Sequence, residues 1–282
     1  MACRAGGRAR TARLRLLKVR QGLARASLLA AALVVAPPPN AALPSSAALV
    51  AKALTQTHAD LDAAVARWAP KSAPAPRDVV LYALYEQRLY RLLARDTKLA
   101  AATLPALPEG LRATTRDLLV AHRELYRLTP PLPARAPIVV GPAAPASSLL
   151  ADYREAQRRF HVSSNVLAAV NFVESKFGKL RNASAAGAQG PMQFMPATWA
   201  HYGLGGNVYD AHDAILGAAH YLQASGAPRN MRRALHAYNP SPAYVDAVLR
   251  YARRMPAMFY DFYNWQVFLK TPNGERRVTG PR

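Results

Sequence analysis

Cysteine is almost absent: Cys3 is the only one in 282 residues. A lone thiol makes no internal disulfide, no cysteine-ligated metal cluster and no redox pair. Acidic residues are also scarce, 16 against 37 lysines and arginines, for a net charge of +21. Charged residues of both signs amount to 19%, where about 25% is usual for a soluble domain. The N-terminal apolar run Ala26–Ala36 has only eleven residues, and a bilayer-spanning helix needs about 20. Zinc-finger spacing and the aromatic motif of ribonucleoprotein domains are both missing, so nucleic acid is not an expected partner despite the basic charge.

What is present begins with that N-terminus. Arg4, Arg8, Arg10, Arg13, Arg15, Lys18, Arg20 and Arg25 precede or enter the apolar run, no acid accompanies them, and Pro37–Pro39 breaks the run. A basic segment, a short apolar segment and small residues beyond it describe a secretory signal over 1–45, with cleavage near Ala41 to Ala47; a short uncleaved anchor is the alternative. Membrane contact is expected only through this segment. Removing its eight cations from +21 leaves +13. A basic exported chain suits an anionic polymer such as the bacterial wall.

The rest of the sequence predicts a mostly α protein. Residues 46–128 carry three helical patterns: one from about Ala47 to Trp68, one opening near Arg77-Asp78 with Tyr82, Tyr85, Leu89 and Leu92 at spacings of three and four, and one starting around Pro108-Glu109. They read as a small helical hairpin or bundle, and nothing in them is chemically suggestive. Residues 129–147 hold Pro130, Pro131, Pro133, Pro137, Pro142 and Pro145, a semi-extended linker and the expected domain boundary. Beyond it, helices are predicted over Leu149–Phe160, over Asn165–Phe177 with Ser164 as cap and Gly178 as stop, and over Pro196–Tyr202 before Gly203. Three more follow: Ala211–Ser225 capped by Asp210, Met231–Tyr238 capped by Asn230, and one from Ser241-Pro242 to about Met255. A late strand pair, 266–270 with 276–279, is expected around the turn signal Asn273-Gly274.

Chemistry concentrates between residues 148 and 263. Leu167, Val170, Glu174 and Phe177 recur at helical spacing, so one carboxylate lies on an apolar stripe. Desolvation there favours the neutral acid, which is what a general acid needs at neutral pH. A buried glutamate paired with an arginine fits the same spacing. Downstream stands Ser184-Ala-Ala-Gly187-Ala-Gln-Gly190-Pro-Met192-Gln193-Phe-Met195-Pro196, and further on Ala237-Tyr238-Asn239. Glycines in such a stretch allow positive φ and close approach of a ligand to the backbone. His212, His220 and His236 lack the spacing of a metal site, so neither a metal nor any other cofactor is expected. Trp199 and Tyr202 read as packing for a short helix.

Glu174-Ser175, the glycine-spaced stretch and the Ala-Tyr-Asn segment together resemble the soluble lytic transglycosylases, lysozyme-like enzymes that cut bacterial peptidoglycan. The resemblance covers about residues 150–255; Pro240 after Asn239 departs from it, since many relatives have glycine or a polar residue there. It implies a lysozyme-like fold for 148–263, with 264–282 as a C-terminal hairpin or tail, and peptidoglycan glycan strands as substrate. It implies Glu174 as the single catalytic acid and base, Ser184 as partner of the substrate's N-acetyl group, Gln193 and Asn239 along the sugar groove, Tyr238 near the carboxylate, and Met192 as an apolar wall. By the same resemblance, Glu174 protonates the glycosidic oxygen of a MurNAc-β-1,4-GlcNAc bond and then takes the proton of the muramyl C6 hydroxyl, leaving a 1,6-anhydro end. Two other readings stay open at this level: a goose-type-lysozyme-like muramidase using water, for which Asp210, Asp213 or Asp246 would have to reach the groove, and a non-catalytic wall-binding protein. The expected location is exported: periplasm, wall or medium.

Overall fold

The computed structural model describes residues 35–133 and 135–279. The expected signal or anchor over 1–45 lies for the most part outside the described residues, as does Cys3. No described helix is long and apolar enough to cross a membrane. Ten α-helices and one strand pair make up the described chain: α1 Ala47–Arg67, α2 Arg77–Arg95, α3 Thr97–Thr103, α4 Glu109–Leu128, α5 Ala146–Phe160, α6 Ser164–Ser175, α7 Pro196–Tyr202, α8 Ala211–Ala224, α9 Met231–Tyr238, α10 Pro242–Asn264, β1 Phe268–Thr271 and β2 Gly274–Arg277.

Local chemistry explains most boundaries. Ser46, Asp96, Asp210, Asn230 and Ser241 each accept a hydrogen bond from a backbone N–H in the first turn of the helix they precede, satisfying donors that a helix start leaves free. Ser164, expected as a cap, is instead the first residue of α6, and Ser163 precedes it without a side-chain bond. Helix α6 also ends two residues sooner than expected. Lys176 (φ 54°), Phe177 (φ 61°) and Gly178 (φ 80°) are consecutive left-handed residues, and Lys176, not the glycine, occupies the capping position.

Helix α10 runs on to Asn264, well past the expected stop near Met255. Pro256 removes one backbone donor and the helix bends, with Met258 at φ −117°, ψ 16°. The apolar stripe Val248, Tyr251, Met255, Phe259, Phe262 nonetheless continues at spacings of three and four, and every member is buried. Burial of that stripe outweighs the local cost of the proline. The strand pair forms in a shifted register: Thr271 faces Gly274 across Pro272-Asn273, so Gly274 opens the second strand rather than closing the turn.

Helix α10 is the axis of the fold, with α2, α4, α6 and α9 packed against it. At its centre Phe172 of α6 stacks on Phe262 with ring centroids 5.0 Å apart and meets Tyr251 edge-on at 4.8 Å. One apolar cluster runs from Val50 through Leu118, Leu167 and Val245 to Trp265, so the helices before the prolines and those after them share a core. Asp117 on α4 receives hydrogen bonds from Arg250, Arg253 and Arg254 on α10 at 2.6–2.9 Å. The expected linker, residues 129–147, therefore joins two groups of helices that share one core. It is extended, as its prolines dictate, but docked: Val140 bridges to Leu180, Gly141 N–H donates to the Lys179 carbonyl (2.9 Å), and Asn182 bonds both Val139 N–H and the Pro137 carbonyl. The strand pair closes onto the earlier helices. Gln87 of α2 exchanges two 2.9 Å hydrogen bonds with the Gln266 backbone, Arg91 pairs with Glu275, and Lys270 donates to the Tyr126 and Thr129 carbonyls at the end of α4.

Candidate active site

The last turn of α6 carries the acid. Glu174 is half-buried, and its Oε1 accepts a 2.6 Å hydrogen bond from the Tyr244 hydroxyl, which reaches it from the first turn of α10. Burial lifts the Glu174 carboxyl to about 7, with the Tyr244 hydrogen bond and the positive charge of Lys176 pulling the other way. Lys176 is itself brought down to about 7, by burial first and by the charge of Arg91 second. Its ammonium donates to the Phe172 carbonyl at 2.9 Å and stands 4.1 Å above the Phe172 ring. Besides burial, the groups that act on Glu174 are a phenol and an ammonium.

Ser175, the second half of the Glu-Ser pair, is buried and structural. Its hydroxyl donates to the Pro191 carbonyl (2.5 Å) and accepts from Gly178 N–H (2.7 Å). One side chain thus closes the helix end that presents Glu174 and ties it to the glycine-spaced loop. That loop is built from two turns. In the first, Ser184 Oγ accepts from Ala188 N–H at 3.0 Å, while the residue itself is exposed; its hydroxyl hydrogen remains available as a donor. In the second, Gln189 and Phe194 pair across a tight bend with Gly190 at φ 72° and Gln193 at φ 51°. A Cβ on Gly190 would collide with the Val208 carbonyl, so only glycine lets this bend sit where it does. Gln193 Nε2 donates to the Gly190 carbonyl at 2.9 Å, a bond within its own turn.

The Tyr238 hydroxyl donates to the Met192 carbonyl at 2.6 Å. Burial, then the Glu174 charge, push the Tyr238 phenol well above its ordinary range. The Met192 side chain is fully buried. It belongs to the core, and what it offers the site is its backbone carbonyl rather than an apolar wall. Asn239 follows Tyr238 as the C-cap of α9, half-buried. Phe194, Trp199, Tyr202, Tyr221 and Tyr238 form a continuous aromatic row with neighbouring centroids 4.8–5.9 Å apart. Trp199 and Tyr202 thereby pack α7 onto α8, as their helical setting predicts.

Tyr244 is the functional residue that sequence reasoning missed. It lies 70 positions from Glu174, and its only local signal is its place in the first turn after Ser241-Pro242. The three acids that a hydrolase would call on are engaged elsewhere. Asp210 caps α8, Asp213 accepts from Asn207 N–H at 2.9 Å and pairs with His212, and Asp246 pairs with Arg232 at 2.8 Å.

Comparison with known families identifies one match: residues 153–257 fit the model of the Transglycosylase SLT domain. The segment opens at Tyr153 on α5 and closes just beyond the proline of α10, so it contains Glu174, the loop and Tyr244. Neither the curated proteins nor the solved structures contain a match to the chain.

Proposed function

Because residues 153–257 make this a chain with an SLT transglycosylase domain, a lysozyme-like enzyme domain whose substrate is peptidoglycan, we propose that it is an exported lytic transglycosylase cutting the MurNAc-β-1,4-GlcNAc bond with Glu174 as its single acid and base. One observation carries this reading: a half-buried carboxyl lifted to about 7, with the Tyr244 hydroxyl and the Lys176 ammonium as the groups that act on it. Hydrolytic glycosidases ordinarily use two carboxylates about 5–9.5 Å apart. A lone acid suits a reaction in which the substrate supplies both its own electrostatic support and its own nucleophile.

The steps balance without water. Glu174 gives its proton to the glycosidic oxygen as the bond from C1 to that oxygen breaks, and the N-acetyl oxygen supports the charge at C1. The resulting carboxylate is held by Tyr244 and by the Lys176 charge, the two interactions that oppose burial. It then accepts the C6 hydroxyl proton as O6 bonds to C1, which closes the 1,6-anhydro ring and restores the acid. Ser184, with a free hydroxyl hydrogen, is the proposed N-acetyl partner; Gln193 and Asn239 line the groove beside Tyr238, and the Met192 carbonyl fixes the Tyr238 ring.

The test is mass spectrometry of muropeptides released from bacterial sacculi by the protein and by Glu174→Gln. Anhydro ends from the parent protein alone support the reading. Ends heavier by one water, or equal release by the folded variant, overturn it.

A further inference from the structure

Far along the chain from the acid, three helices converge on a second cluster of ligating side chains. His58 of α1, Glu86 of α2 and Asp261 of α10 each present one ligand atom, and these atoms all lie within 4.8 Å of one another. His58 Nδ1 is 3.0 Å from Glu86 Oε1 and 3.9 Å from Asp261 Oδ2. Glu86 is wholly buried and Asp261 is 2% exposed. Both nevertheless keep a buried oxygen, Glu86 Oε2 and Asp261 Oδ2, without a hydrogen-bond partner. Buried carboxylate oxygens are costly to leave unpaired. The cluster thus gathers one imidazole and two buried carboxylates around oxygens that no protein donor satisfies.

We propose that His58, Glu86 and Asp261 bind a divalent transition-metal ion of the zinc type, which clamps α1 and α2 to the end of α10. A neutral imidazole, two carboxylates and a doubly charged ion sum to zero, the balance that a buried site requires. One nitrogen and two oxygens suit zinc; calcium and magnesium prefer ligand sets of oxygen only. Asp62 stands 3.8 Å from His58 Nε2, on the far side of the ring. A carboxylate on that side, once drawn into hydrogen-bond distance, fixes the tautomer and orientation of a metal-bound imidazole. His58 keeps 27% of its side-chain surface open, which provides an entry path and room for a water as fourth ligand. The sequence concealed the site because its ligands come from three helices up to about two hundred residues apart, without the short spacing that marks a metal motif.

The full chain, stripped with a chelator and dialysed at pH 7.5, is titrated separately with zinc, manganese and magnesium chlorides. Bound metal is counted by mass spectrometry and unfolding is followed by heat. The expected result is one zinc per chain, manganese binding more weakly and magnesium not measurably. The melting midpoint should rise by about 5–10 °C when zinc is a hundredfold above its Kd. His58→Ala and Asp261→Asn should each lose the bound ion and the rise in midpoint, and the near-isosteric Asp261→Asn carries the test if His58→Ala does not fold. His212→Ala, at the exposed Asp210–His212–Asp213 cluster, should bind as the parent does. No stoichiometric zinc, retention of zinc by folded Asp261→Asn, or its loss in His212→Ala would overturn the proposal.

Discussion

At the scale of single residues the site is a contest over one proton. Burial holds the proton on Glu174, while Tyr244 and Lys176 favour its release. Tyr244→Phe removes a hydrogen bond to the charged form, so the Glu174 carboxyl should rise further. The alkaline limb of the pH–kcat/KM profile should move to higher pH, and kcat should fall because the carboxylate left after protonation loses its donor; an unchanged limb in the folded variant would contradict this. The same burial has a cost in stability. A carboxyl raised from about 4.3 in the unfolded chain to about 7 in the fold binds more protons folded than unfolded. Its stabilising effect is complete below the lower value and is lost as pH rises through the upper one. Glu174→Gln should therefore match the parent in stability near pH 4 and exceed it at pH 8, by about 1–3 kcal/mol, as read from urea midpoints. Helical spacing placed Glu174 on a buried stripe, and that much was legible in the sequence. Spacing alone did not distinguish a groove-lining Met192 from a core one, since both call for an apolar residue. The structural work of Ser175 and the reach of Tyr244 are tertiary facts with no local sign.

Among the elements, caps were legible and overrides were not. Asp210, Asn230 and Ser241 cap as their side chains dictate, because that chemistry is contained within four residues. Helix α3, only seven residues long, has too few turns to show a periodic stripe. The extension of α10 past Pro256 was hidden for the opposite reason: the proline signal is local, whereas the burial that outweighs it comes from α6 and α2. Beside the apolar contacts of α4 with α10, one acid gathers three arginines at their join. Burial acts to raise the Asp117 carboxyl, but hydrogen bonds from Arg253, Arg254 and Arg250 bring it below its ordinary value. A lowered folded value means stability that is present above the unfolded pKa of about 3.9 and lost as pH falls through the folded one. Asp117→Asn should destabilise the protein by about 1–3 kcal/mol at pH 7, a range reduced because the arginines are partly exposed. The loss should shrink below pH 4, which denaturant titrations at the two pH values would check.

On the scale of the whole molecule, the proline-rich stretch announced a boundary that the core does not respect. Composition reads the flexibility of a segment, but whether the helices on either side bury the same surface is decided by side chains far apart in sequence. A fragment of residues 146–282 would expose the face of α10 that meets α2 and α4. It should lack the near-ultraviolet dichroism and cooperative melting expected of residues 35–282; a sharp transition in the shorter fragment would show that the SLT segment folds alone. The strand pair has a consequence for biosynthesis. Helices α2 and α4 leave the ribosome early, yet part of the surface they bury belongs to α10 and the strand pair, which leave late. Those two helices therefore complete their packing only when the final segments of the chain arrive.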